Sequence, residues 1–242
     1  MWNIFFKEIN TFFSSLIGYL SIGIFLLVCS LLLWVFPDTS IIDYDEASLA
    51  YFFNIVPWIF LFLVPAICMR LFAEEIKSGT FELLATRPLS LWQIIGGKYL
   101  AAWALIVLAL LPTLIYYYSV YQLGMEKGNI DTGATNGSYL GLVLLGGTFA
   151  AIGLFASSIS TNQIVAFLLA VFLCFVGYQA FDALSQIPSL EKIAYFLQNL
   201  GIYAHYESIS RGVVDSRDLI YFGSVIFFFL FLTFRRLRLL QI

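Results

Sequence analysis

Six runs of 16 to 22 consecutive residues contain no Asp, Glu, Lys or Arg: Leu16–Phe36, Tyr51–Met69, Tyr99–Val120, Tyr139–Ile159, Ile164–Ala180 and Leu219–Phe234. At about 1.5 Å of rise per residue, a helix of this length crosses a hydrocarbon core roughly 30 Å thick. Lipid offers no hydrogen bonds, so each run must satisfy its own backbone, and a helix does so. The composition agrees: 61% of residues are hydrophobic and 11% charged, against about 25% charged in a soluble domain. The expected architecture is an all-α integral membrane protein, one domain over residues 1–242 with six transmembrane helices. The sixth run is the shortest, near 24 Å, and would need Arg235 to snorkel and Tyr221 to anchor it. Pro57, Pro65 and Pro112 lie inside runs and predict kinks. Cys29, Cys68 and Cys174 lie in apolar surroundings, as small hydrophobes do, and indicate no disulfide or metal framework.

Two segments are amphipathic but too polar to span. In residues 1–15, Trp2, Phe5, Phe6, Ile9, Phe12 and Phe13 recur at three- to four-residue spacing, opposite Asn3, Lys7, Asn10, Thr11 and Ser14. This pattern predicts a helix lying in the interface plane against lipid, or alternatively an extension of the first span. Residues 182–218 hold Tyr195, Phe196, Leu200, Ile202, Tyr203 and Tyr206 among polar residues, an aromatic content that fits an interface location between spans five and six, as either a gate or a passive lid.

The charges are unevenly placed. Of the twelve basic residues, Lys7, Arg70, Lys77, Arg87, Lys98, Arg235, Arg236 and Arg238 fall on one side of a six-span chain, and only Lys127, Lys192, Arg211 and Arg217 on the other. The positive-inside rule then puts both termini in the cytoplasm. A net charge of −3 gives no footprint for nucleic acid.

That orientation makes residues 73–98, between spans two and three, a charged cytoplasmic hairpin carrying Glu74, Glu75, Lys77, Glu82, Arg87 and Lys98. Gly79 permits a tight turn, Thr80 can cap, and Phe81–Arg87 has helical propensity until Pro88 stops it. The resulting short helix would offer Phe81, Leu83 and Leu84 to a groove, with Glu75, Glu82 and Arg87 around them. The alternative is a solvated loop whose charges only enforce topology.

The pattern Glu75, Gly79, Thr80, Glu82, Leu84, Pro88, Leu89, Ser90 and Lys98 resembles that of the ABC-2 type ABC transporter permeases, the type V exporter fold. The six-run layout, amphipathic N-terminal segment and arginine-rich tail extend the resemblance over nearly the whole chain, and the gliding-motility-associated permeases of Bacteroidetes are similar. The resemblance implies that the hairpin holds a coupling helix, with Glu75, Gly79, Thr80, Glu82, Leu84 and Pro88 at a separate ATPase subunit. It further implies an inner-membrane protein, short extracytoplasmic helices after the fifth span, and pairing with a second copy or a sister permease.

ATP would be bound by that partner, and no cofactor is expected in this chain. Gly96-Gly97-Lys98 is no phosphate loop, because Trp92 replaces the first glycine and Tyr99 the final Ser or Thr. With a single histidine, His205, a catalytic triad or histidine metal site is disfavoured. A secondary transporter or intramembrane enzyme would keep ionisable groups at membrane depth, and the runs hold none. Asn54 predicts an interhelical hydrogen bond or, alternatively, a substrate contact, while Gln179 and Asp182 read as a solvated helix end in preference to a proton relay. Gly146, Ala150, Gly153 and Ser157 draw a small-residue stripe, for packing inside the chain or for a dimer contact. The function expected is an ATP-driven permease subunit, not itself an enzyme; the alternative is a non-transporting scaffold or mechanotransmission subunit driven by the same ATPase.

Overall fold

The computed structural model describes residues 1–36, 40–41, 48–81, 89–124, 130–213 and 215–239. Among these, all regular structure is helical: α1 (Trp2–Phe13), α2 (Leu16–Trp34), α3 (Ala50–Cys68), α4 (Ala73–Lys77), α5 (Leu91–Leu110), α6 (Leu114–Leu123), α7 (Thr132–Ile159), α8 (Gln163–Phe175), α9 (Phe181–Ser185), α10 (Ala194–Leu200), α11 (Ile202–Ser210) and α12 (Ser216–Leu239). A 3-10 turn at Leu111–Thr113 joins α5 to α6, a π turn at Val176–Ala180 joins α8 to α9, and a 3-10 segment at Pro188–Ile193 precedes α10. Six helices, built on α2, α3, α5, α7, α8 and α12, are long and apolar enough to cross a membrane.

The core is organised around α7, which packs against α3, α5, α8, α11 and α12. Its buried residues explain how one helix meets so many: Gly141, Gly146, Gly147, Ala150, Ala151, Gly153, Ala156 and Ser157 have little bulk to hold neighbours away. A Cβ on Gly146 would stand 2.7 Å from Cγ2 of Ile106 in α5, and one on Gly153 2.7 Å from Cβ of Cys68 in α3. Any larger side chain at either position would overpack the bundle.

The prolines act on α3 and α5 differently. Pro57 has no N–H, so the carbonyl of Phe53 four residues back loses its helical donor; the Tyr206 hydroxyl of α11 donates to it at 2.7 Å instead. Pro112 sits in the 3-10 turn that separates α5 from α6. Neither carbonyl chemistry nor partner is visible from the proline alone.

Three boundaries and one contact differ from the sequence reading. The sixth span is 24 residues, Ser216–Leu239, about 36 Å long, and needs no snorkelling to cross. Asp218 does not end it, because His205 takes up the carboxylate inside the fold. The third span begins at Leu91, not Tyr99: Ser90 and Gln93 form a reciprocal capping box, and Lys98 is internal and paired. The fourth begins at Thr132, seven residues before Tyr139, with the Asp131 side chain accepting from the N–H of Ala134 as its cap. Asn54 is not turned toward a neighbouring helix of the bundle; it is exposed on the outward face of α3, in register with Tyr51, Trp58 and Phe62.

Candidate coupling site

Where α3 ends, four charges from three segments close into a ring. The Lys98 ammonium of α5 lies 2.7 Å from Oε1 of Glu8 in α1 and 2.9 Å from Oε1 of Glu75 in α4. Lys7 of α1 lies 2.7 Å from the same Glu75 oxygen and 3.2 Å from the same Glu8 oxygen. Each cation thus meets both anions, and each anion both cations.

The ring follows from how these segments are built. The inward face of α1 is Ile4, Glu8 and Phe12, one residue per turn, so Glu8 is carried beneath the helix with two hydrophobes. The helix comes close to α5 because Gly97 is there; a Cβ would stand 2.9 Å from the Met1 carbonyl and 3.1 Å from Cβ of Ile4. Lys98 follows directly and points into the gap. The helix break after α3 leaves the Leu71 carbonyl free, and it accepts the third Lys98 hydrogen bond at 2.7 Å. All three ammonium donors are thereby met, which is what a lysine only 1% exposed requires. The cation also lies 5.2 Å over the Phe72 ring.

Burial by itself would lower the pKa of Lys7, but the hydrogen bond to Glu75 and the charges of Glu8 and Glu75 outweigh it and hold the ammonium above the ordinary lysine value. Among the described residues, the second Glu75 oxygen, Oε2, is buried without a hydrogen-bond partner.

Two further contacts bind the same region. Arg70 donates from Nη1 to the Ser15 hydroxyl at 2.9 Å and from Nη2 to the Thr11 carbonyl at 3.4 Å, with its guanidinium 5.4 Å over Phe12, so the α1–α2 corner is fixed to the end of α3. Ser157 of α7 bridges the α3–α4 break: its hydroxyl accepts from the N–H groups of Phe72 and Ala73 at 3.0 and 3.1 Å and donates to the Met69 carbonyl at 3.0 Å. These are backbone groups that a helix interruption would otherwise leave orphaned.

Of the hairpin residues singled out in the sequence, Glu75 is in the ring, its side chain 12% exposed. Gly79 has φ of +71°, the left-handed conformation that favours glycine, directly after α4. The Thr80 hydroxyl lies 2.9 Å from that of Ser78 and donates to the Glu75 carbonyl at 3.4 Å. Glu82, Leu84 and Pro88, with most of the expected Phe81–Arg87 helix, lie outside the described residues. Phe81 is a correction: it is 4% exposed and packs edge-on to Phe72, turned into the fold and not toward a partner. Its neighbour Phe72 is fully buried, so the pocket under α4 takes an aromatic ring more favourably than water does.

The stripe residues lie along α7 inside the chain. Gly146 meets α5 and α3, the Ala150 carbonyl accepts from the Cys68 thiol at 3.7 Å, Gly153 meets Cys68, and Ser157 bridges the α3–α4 break.

Lys7, Glu8 and Arg70 are the residues that sequence reasoning did not assign to a site. One signal was present. Glu8 stands four residues from both Ile4 and Phe12, and an acid on the apolar side of an amphipathic helix requires a buried cation.

No curated relative matches the chain. Residues 36–235 match the family described as ABC-2 family transporter protein, a span that includes Glu75, Lys98, Ser157, the second to fifth membrane helices and most of the sixth. The six-helix bundle and this match together make the chain a member of the ABC-2 transporter family, a membrane permease of an ABC transporter.

Proposed function

We propose that this permease receives mechanical work from a separate ATPase subunit at the hairpin between α3 and α5, and that the Lys7–Glu8–Glu75–Lys98 ring distributes it. The ring is the observation that carries the reading. It joins α1, α4 and α5 through contacts of 2.7 to 3.2 Å, and Ser157 joins the same junction to α7. A displacement of the hairpin therefore moves α1, α3 and α5 together. Buried ion pairs suit this task, because breaking one leaves uncompensated charge in a low dielectric, whereas apolar contacts slide.

In this reading the hairpin, both termini and the ring are cytoplasmic, the membrane is the inner membrane, and α10 and α11 lie on the opposite side. The eight basic residues on the hairpin side support that orientation. ATP is bound by the partner, and this chain contributes no catalytic group. Trp2 and Phe6, both more than half exposed on α1, suit lipid headgroups beside the hairpin. The substrate is either an exported molecule or, as the resemblance to gliding permeases suggests, a mechanical load.

A second copy or a sister permease completes the assembly, and the exposed face Tyr51, Asn54, Trp58 and Phe62 of α3 is its contact surface. A carboxamide within a span finds no hydrogen bond in lipid, and a second helix can supply one.

Co-purification tests the docking. Glu82→Lys reverses a charge on the hairpin and should abolish recovery of the ATPase with the permease in detergent while the permease remains folded. Full recovery with unchanged ATP hydrolysis would overturn the docking site.

A further inference from the structure

We propose that His205 is a proton-dependent latch: with both ring nitrogens protonated, it fastens α10 and α12 to α11, and loss of one proton releases the connection between the fifth and sixth spans.

Both ring nitrogens face acceptors. Nδ1 lies 2.6 Å from Oδ1 of Asp218 in α12, and Nε2 lies 3.0 Å from the carbonyl oxygen of Asn199 in α10. A carbonyl has no hydrogen to give, and an ionised carboxylate has none. A neutral imidazole carries one N–H, so it can satisfy only one of these acceptors and turns a lone pair toward the other. The imidazolium satisfies both.

The ring is also held from its face. The ring stacks on Tyr221 of α12 at 3.8 Å between centroids, and the Tyr221 hydroxyl donates to the Leu200 carbonyl at 2.7 Å, so the aromatic face is fixed beneath the cation. The Asp218 side chain is 7% exposed, and among the described residues His205 is its ion-pair partner and its second oxygen is buried without a hydrogen bond. Deprotonation therefore leaves a buried carboxylate without its counter-charge.

The other charges on the packed elements are engaged elsewhere or lie off the ring. Glu207 of α11 pairs with Arg211, which follows the helix, at 2.7 Å. On and before α12, the Asp215 carboxylate accepts from the N–H of Arg217 at 2.9 Å. The segment before α10 holds Glu191 and Lys192, α9 holds Asp182, bonded to Gln186, and α10 itself has no charged residue. Asp131 caps α7.

The neighbouring Tyr206 anchors α11 to α3, so α11 stays while α10 comes away. Ile202, 2% exposed at the junction of α10 and α11, should then become accessible. Latch and ATPase docking are at separate places in the chain, and the test below uses the permease alone in lipid nanodiscs, so either can fail without the other.

Two single-cysteine reporters are compared, Ile202→Cys and, on the 64% exposed Phe196 of α10, Phe196→Cys. The ratio of their thiol labelling rates cancels the common effect of pH on thiols. It should rise about tenfold as the pH is raised from about 5 to about 8. In a His205→Gln background the ratio should be high and independent of pH. A flat ratio with His205 present, or the same rise in the His205→Gln background, overturns the latch. Because His205 is the only histidine, its ring 15N resonances can be read in the unmodified protein. Two protonated nitrogens at the acid end, becoming one in step with labelling, are expected; a singly protonated ring at the acid end overturns the proposal even if Ile202→Cys does not fold.

Discussion

The two ends of this bundle are held together by different chemistry. At the end where α3 finishes, two lysines and two glutamates neutralise one another in a closed ring, with Lys98 almost fully buried. At the end where α3 begins, the contacts are single: Tyr206 to the Phe53 carbonyl and one histidine between a carboxylate and a carbonyl. A ring of four charges cannot lose one member without stranding others, so its segments move together or not at all. A set of single bonds can open one at a time. The difference suits a molecule that takes in force at one end and changes shape at the other.

The sharpest way to break the comparison is Lys98→Met, which leaves Glu8 and Glu75 buried with only the half-exposed Lys7. The loss should be about 3–5 kcal/mol, the usual consequence of removing one partner of a buried pair, and would appear as a large fall in the thermal midpoint in detergent. Restoration by the triple apolar variant Lys98→Met, Glu8→Leu, Glu75→Leu would show that the ring serves coupling more than stability. A Lys98→Met protein as stable as the parent would mean that the two ends do not differ.

Tyr206→Phe probes the opposite end. It removes the donor to a carbonyl that Pro57 has already deprived of its helical partner, and should cost roughly 1–2 kcal/mol by the same thermal measurement, with ATPase recovery unchanged. A loss as large as that of Lys98→Met would place both ends in one cooperative network.

Much of this contrast was hidden in the sequence for a definable reason. Hydropathy located six helices because lipid imposes length and composition locally, on about 20 neighbouring residues at a time. Charges were harder. Lys98 and Asp218 looked like span boundaries because an ion at the end of an apolar run normally meets water, and their partners Glu8 and His205 stand 90 and 13 residues away. Asn54 was legible only in part: its amide called for a second helix, and it is exposed on the outer face of its own chain. Spacing made the α7 stripe visible but carried no information on which chain lies against it; the structure places α3 and α5 there.

The smallest expected effect on stability comes from that Asn54. Asn54→Leu removes an amide that is exposed on the outer face of its own chain, so the thermal midpoint should move by less than about 0.5 kcal/mol equivalent, while the mass in mild detergent should shift from a pair toward a single copy. An unchanged mass would remove the outward face of α3 as the contact surface.

The glycines of α7 give that helix a further meaning. Ile106, Cys68 and Tyr206, from α5, α3 and α11, all rest against backbone and not against side chains there. At these three points the shaft has no teeth, and neighbours can shift there by small steps without unthreading a side chain. Between them Leu142, Leu145, Phe149 and Ile152, all buried, interlock with the bundle and hold α7 in place. Motion in this molecule is best described in coordinates fixed to that one helix, with everything else as the moving parts.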